Sequence, residues 1–463
     1  MAERILFLTG HLARARLEKV LGETPDLGFD WSVFDVGVKV AALMTEAIIA
    51  RRLPRPVEAN RVMVPGRCRA DLARLSAEFG VPFERGPDEL KDLPAYFGKH
   101  GRGLDLSRYD MRIFAEIVDA SALGVDAIVA RAVSMRAAGA DVIDLGCLPD
   151  TPFPHLEDAV RALKETGCEV SVDSADPTEL RRGAGAGARF LLSLTEANLA
   201  LAAETGAVPI LIPASHGDLP SLLRAAEAAD KLGIKPILDP ILDPIHFGFM
   251  ASLARYAELR RLLPVAEILM GTGNLTELTD ADSDGITAAL LGICSELSIR
   301  NLLVVQVSPH TRRTLQEHDA ARRMMFAARE DSSTPKGYGN ALLSLHDRKP
   351  FPNMPSEIAE LAAAVKDANF RIETAEDGIH VYNRDGHHVA RDAMSLFDKL
   401  GIDNDGPHAF YLGTELMKAE IAWLLGKRYA QDAPLDWGSA AESRSEDLTR
   451  LAAAGHTLRA AKR

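Results

Sequence analysis

Cysteine is scarce. Four residues, Cys68, Cys147, Cys168 and Cys294, are scattered through 463 positions, and none forms a Cys-x-x-Cys pair. That spacing argues against a disulfide framework and a zinc site, and fits a reducing cytoplasm. No apolar run approaches the roughly 20 residues needed to cross a bilayer. The start, Met1-Ala2-Glu3-Arg4-Ile5-Leu6-Phe7-Leu8-Thr9-Gly10, lacks a long apolar stretch with a cleavage site. It reads as a buried first strand, not a signal peptide. Positive charge is also short: Lys and Arg number 53 against 66 Asp and Glu, for a net charge of −13. Neither a nucleic-acid partner nor a membrane partner is expected. Full Gly-x-Gly-x-x-Gly and Walker motifs are missing, so the turns Thr9-Gly10-His11 and Pro65-Gly66-Arg67-Cys68 read as plain strand–helix turns before anion sites.

What is present is a chain too long for one domain, with 47% apolar residues to build its cores. Residues 1–103 predict a small α/β domain. Strands at Arg4–Leu8, Trp31–Val36 and Arg61–Val64 alternate with helices at Leu12–Leu21, Ala41–Ala50 and Ala70–Phe79, and Glu84–Gly103 reads as a linker. Residues 104–330 carry eight strand candidates: Arg112–Val118, Asp141–Gly146, Glu169–Asp173, Arg189–Leu194, Val208–Pro213, Lys235–Asp239, Glu267–Gly271 and Asn301–Val307. Amphipathic helices separate most of them. Eight βα units predict a TIM (β/α)8 barrel, with an open doubly wound sheet as the alternative. His310–Arg329 predicts a covering helix, and Asp331–Gly339 a flexible break. Residues 331–463 predict a small α+β domain, with a hairpin at Asp377-Gly378, helices at Val389–Leu400 and Tyr411–Leu425, and a loose polar tail.

A barrel's active site lies at the carboxyl ends of its strands. Those ends hold Glu116 and Asp119, Asp144, Asp173 and Ser174, Ser193 with Asn198 beyond, Asp239 and Asp243, Gly271-Thr272-Gly273-Asn274, and Gln306, Ser308, Arg312 and Arg313. Crowded carboxylates need donors or cations to offset desolvation. A 2-amino-4-oxopteridine edge offers paired N–H donors, and Mg²⁺ suits oxygen ligands, with Asp119 or Asp144 as its candidate ligand. Gly271 and Gly273 would let a ligand approach the backbone. Each acid also has a plainer reading as a helix cap or an Arg partner. Cys147 lies beside the site with nothing to mark it as an activated thiol.

Ala138-Gly139-Ala140-Asp141-Val142-Ile143-Asp144-Leu145-Gly146, then Val170-Ser171-Val172-Asp173-Ser174, then Ile237-Leu238-Asp239-Pro240 resemble successive signatures of dihydropteroate synthase and its pterin-binding relatives. The resemblance covers about 110–320. It implies a barrel in which Asp173 and Asp239 hold a reduced pterin, with Asp243 as the rival of Asp239. Where that family has Ser-Thr-Arg, Ser-Arg-Lys and Arg-x-His, this chain has Cys147-Leu148-Pro149, Thr272-Gly273-Asn274 and Gln306-Val307-Ser308. The pterin-side carboxylates remain and the diphosphate-side cations are replaced, which points away from ordinary folate synthesis. Met270-Gly271-Thr272-Gly273-Asn274-Leu275-Thr276-Glu277-Leu278-Thr279-Asp280-Ala281-Asp282 and Leu416-Met417-Lys418-Ala419-Glu420-Ile421-Ala422, with Gly426-Lys427, look like the divergent relatives linked to tetrahydromethanopterin synthesis. That likeness implies a transferase joining dihydropterin-6-ylmethyl diphosphate to a ribofuranosyl-aminobenzene phosphate. Asp173, Asp239 and Asn274 would be catalytic; Gln306, Arg312 and Arg313 would contact phosphate or the second substrate. It also implies a homodimer. The alternatives are a pterin-binding assembly protein without turnover and a pterin-dependent methyltransferase to a corrinoid protein.

Overall fold

The computed structural model describes residues 3–99, 104–402 and 405–442. The expected polar tail and the end of the expected linker lie outside them. The chain forms two compact units. The first comprises Met1–Thr279, Ala289–Val305 and His318–Gly339; the second comprises Asp280–Ala288, Gln306–Glu317 and the chain from Asn340 onward. The N-terminal domain and the barrel, expected as separate domains, therefore belong to one unit. Two short barrel-side segments belong with the C-terminal chain instead. Side chains explain part of that grouping: Ser344 Oγ donates to Asp284, and Arg313 Nε donates to the Ser439 carbonyl at 2.9 Å.

The first unit begins with a parallel sheet of β1 (Glu3–Thr9), β2 (Phe29–Asp35), β3 (Arg61–Val64) and β4 (Phe83–Arg85), in the order β2-β1-β3-β4. β4 falls where the sequence reads as the edge of a linker. It has three residues and only Phe83 is buried, too little alternation to mark a strand. Leu93, also from that stretch, packs into a core with Ile5, Phe7 and Leu17. The expected flexible break is tied down as well: Asp331 accepts from Lys19 Nζ at 2.6 Å and from the Tyr338 hydroxyl at 2.7 Å.

Eight parallel strands then close into a barrel: β5 (Arg112–Ile117), β6 (Val142–Gly146), β7 (Glu169–Asp173), β8 (Phe190–Leu194), β9 (Val208–Leu211), β10 (Ile237–Leu238), β11 (Glu267–Gly271) and β12 (Asn301–Val304). This is the TIM-barrel architecture, with helices between successive strands. The helix Leu156–Glu165 shows why such segments pack outside it. Leu156, Ala159, Val160 and Leu163 form one buried stripe, and Glu157 and Asp158 suit the positive end of its dipole.

Inside the barrel, Phe114, Val142, Phe190, Leu192, Ile210, Ile237 and Leu269 form one apolar cluster. Side chains alternate across a strand, so the residue two positions on from each also faces inward. From Phe114 that residue is Glu116, from Val142 it is Asp144, and from Ile237 it is Asp239. The fold thus lays carboxylates directly on an apolar floor. At the opposite end of the strands the buried Arg322 bonds the carbonyls of Met111 and Gly139, the carboxylates of Asp141 and Asp319, and stacks on Tyr109.

The second unit contains an antiparallel sheet of β13 (Arg371–Ala375), β14 (Gly378–Asn383) and β15 (Gly386–Ala390). The hairpin is where the sequence places it. β15 and the helix Pro355–Ala364 are additions, and the helix expected from Val389 starts at Met394. Val389 belongs to the sheet because it pairs with His380 across from it. Among the described residues no helix is long and apolar enough to cross a membrane.

Candidate functional site

Glu116 and Asp144 are register partners on β5 and β6, and Asp144 pairs in turn with Ser171 on β7. Asp173 stands two residues further along β7. One carboxylate oxygen from each of Glu116, Asp144 and Asp173 lies within 4.8 Å of the others. Asp144 is fully buried; one of its oxygens accepts from Ser171 Oγ and the other, Oδ2, has no hydrogen-bond partner. Asp173 Oδ1 accepts from Ser193 Oγ at 3.2 Å. At Gly146, the next inward position on β6, a Cβ would come within 2.8 Å of Glu116 Oε1 and within 3.1 Å and 3.2 Å of the backbone at Val118 and Ile117. Gly146→Ala is expected to cost about 1–3 kcal/mol through this overlap, read as a lower urea midpoint at unchanged slope.

No Lys or Arg forms an ion pair with Glu116, Asp144 or Asp173 among the described residues. Burial, with the Asp173 charge second, pushes the Glu116 carboxyl up to about 7. Burial, then Asp173 and Glu116, drives Asp144 well above the usual carboxylate range. Burial raises Asp173 also, against the pull of the Ser193 hydroxyl. Such a cluster must hold protons, a cation, or a ligand that presents N–H donors. Its donors are all oxygen, the set that suits a hard divalent ion.

Asp239 follows β10 and joins this acidic mouth. Its Oδ1 accepts from the Tyr256 hydroxyl and the Ile241 amide, both at 2.8 Å. No hydrogen bond falls on its Oδ2 among the described residues. Burial pushes Asp239 up to about 6, with Asp173 adding to the rise. Asp243, the rival carboxylate, is already occupied: Arg255 Nη2 bonds it at 2.7 Å and His216 Nε2 at 2.9 Å. It braces its loop. Asn274 Nδ2 donates to the Leu242 carbonyl at 2.7 Å, which ties the loop after β11 to the one after β10.

Other candidates lie elsewhere. Asp119 is half exposed and paired with Arg131 at 2.6 Å, outside the carboxylate cluster, so Glu116 takes the place given to it as a metal-ligand candidate. Asn198 Oδ1 accepts from the Thr195 amide at 2.7 Å and holds its own turn. A Cβ at Gly273 would meet Val305 Cγ2 at 2.9 Å, so that glycine serves packing; at Gly271 the space is open. β12 ends at Val304, and Gln306, Ser308, Arg312 and Arg313 belong to the second unit. There Gln306 Nε2 donates to the Arg312 carbonyl. Burial and Glu179 push the Cys147 thiol far up, so it stays protonated and is no nucleophile. Residues the sequence did not single out are Ser171, Tyr256 and Arg255. The parity of β7 would have found Ser171, which lies two positions before Asp173. The two residues on one helix had no local signal.

A family described as being of unknown function (DUF6513) matches residues 3–88. An uncharacterized protein of Methanocaldococcus jannaschii is 24% identical over 93% of this chain and 99% of its own length. Among solved structures, a Yersinia pestis dihydropteroate synthase with a pterine–sulfa conjugate is 22% identical, with 49% of this chain and 95% of that one covered at a TM-score of 0.38. The Thermus thermophilus dihydropteroate synthase is 23% identical, with 49% and 96% covered at a TM-score of 0.36.

Proposed function

We propose that the barrel binds a reduced pterin at Asp173 and Asp239 and condenses dihydropterin-6-ylmethyl diphosphate with the amine of a ribofuranosyl-aminobenzene phosphate, a step of tetrahydromethanopterin assembly. The observation that carries this reading is the lumenal acid cluster, which has no Lys or Arg ion pair among the described residues. An apolar floor beneath acids with open oxygens suits a flat heterocycle whose edge is rich in N–H donors. The sequence signatures around Asp144, Asp173 and Asp239 support the same ligand class.

In the reaction the methylene–oxygen bond of the pterin breaks and diphosphate leaves with the electron pair. The aniline nitrogen forms the new C–N bond and gives up one proton, which the departing diphosphate can carry. Asp173 and Asp239 hold and orient the ring, and the apolar cluster below keeps water from that face. Glu116, Asp144 and Asp173 are the residues that would hold Mg²⁺; a bound Mg²⁺ would supply positive charge to offset that of the leaving group.

That no Lys or Arg pairs with the cluster among the described residues also favours a second reading, a pterin-binding assembly protein without turnover. Incubation of the purified protein with both substrates and Mg²⁺, with products read by mass spectrometry, separates the two. Condensed pterin establishes the synthase. Tight pterin binding with no product establishes the carrier. Transfer of a methyl group from a methyl-pterin to a corrinoid protein would overturn both.

A further inference from the structure

The N-terminal sheet carries a cavity whose lining includes none of the barrel-mouth acids. Its strand order, β2-β1-β3-β4, reverses between β1 and β3. In open parallel sheets ligands sit outside the carboxyl ends of the strands at that reversal. A cavity of about 400 Å³ lies there, bordered by Thr9 at the end of β1, Pro65 at the end of β3 and Gly86 after β4. The size falls within the roughly 300–1,000 Å³ usual for small-molecule sites.

Its walls are mostly apolar. Leu8, Leu17, Met63 and Leu93 are buried, whereas Leu12 and Val40 stand 47% and 45% exposed at the cavity. Its rim is basic: Arg16, Lys39, Arg67 and Lys336 outnumber Asp88 and Glu89. Arg67 is paired with Glu89 at 2.7 Å, and Arg16 donates to the Lys336 carbonyl at 3.2 Å. Lys39 and Lys336 have no carboxylate partner among the described residues. The first amides of the adjoining helix give no anion site, because His11 N and Leu12 N already donate to the carbonyls of Val38 and Lys39. Charge recognition therefore falls on the two lysines.

We propose that this cavity binds a phosphorylated heteroaromatic molecule of mononucleotide size, its ring between the apolar walls and its phosphate between Lys39 and Lys336. An apolar ligand would leave both ammonium groups unused, and a bare phosphate would leave the walls wet.

Titration calorimetry on the full-length protein with AMP, GMP, UMP, adenosine and inorganic phosphate tests it. At least one nucleoside monophosphate is expected to bind, with adenosine and phosphate each weaker by about tenfold or more. Lys39→Glu and Lys336→Glu are each expected to weaken it by about tenfold or more. Ala13→Phe, which plugs the cavity from the helix side, is expected to abolish it while circular dichroism and the melting curve stay native. Failure of all three monophosphates to bind overturns the proposal. Binding that ignores both lysine substitutions, or that persists in a folded Ala13→Phe protein, overturns it too.

Discussion

Asp173→Ala is expected to weaken binding of a reduced pterin by about a hundredfold, because it removes a partly exposed carboxylate and its charge-assisted hydrogen bonds, roughly 1.5–3 kcal/mol each. Isothermal titration of both proteins with the same pterin reads the change. The carboxylate is well placed to hold such a ring. Ser193 Oγ steadies Oδ1 at 3.2 Å, and Asp239 joins the same mouth with its Oδ1 fixed by Tyr256 and Ile241 and its Oδ2 open. The substitution should leave folding intact or improve it, since the Asp173 charge adds to the burial that raises Glu116, and adds with Glu116 to the burial that raises Asp144. Asp119→Ala is the matched control. Its carboxylate is half exposed and already spent on Arg131, so pterin affinity should stay within about twofold. Unchanged affinity in Asp173→Ala would sink the site assignment, whatever the activity assay shows.

The barrel and the acids of its mouth are legible in the sequence because both rest on short-range periodicities. Eight apolar runs separated by amphipathic helices predict the closed sheet, and two-residue alternation carries the inward face from Phe114 to Glu116 and from Val142 to Asp144. What is not legible depends on partners far apart in the chain. Asp239 and Asp243 look alike as Asp-Pro pairs, and only the folded loop shows Arg255 and His216 on Asp243 and Tyr256 on Asp239. Asp119 looks like a strand-end acid until β5 is seen to stop at Ile117. Gln306 and Ser308 look like strand-end residues because they alternate with Val305 and Val307 after the apolar run from Leu302, but the ladder to β11 and β5 ends earlier. β4 and β15 escape the sequence pattern for a related reason. Each is short, and each is held by neighbours more than by its own pattern.

Folding stability without ligand is expected to fall as pH rises from about 4 to about 7. A carboxyl whose proton affinity is raised by folding binds more protons in the folded chain than in the unfolded one. The stability it contributes is complete below its unfolded value and is lost as pH climbs through its folded value. For Glu116 that window runs from 4.5 to about 7, and for Asp239 from 3.8 to about 6. Each tenfold difference in proton affinity corresponds to about 1.4 kcal/mol, so the Glu116 rise, to which the Asp173 charge contributes, corresponds to a loss on the order of 3 kcal/mol. Asp144 moves the same way. Urea unfolding at pH 5 and pH 8 measures the difference. Asp144→Asn should narrow it, since the amide keeps an acceptor for Ser171 Oγ and introduces no charge beside Glu116 and Asp173. If the cluster takes a divalent ion or an N–H-rich ligand, that addition should restore stability at pH 8 and do little at pH 5, where protons already fill the role. A protein equally stable at both pH values, with Asp144→Asn indistinguishable from wild type, would show that folding does not raise the proton affinity of these acids and would remove the case for a ligand between them.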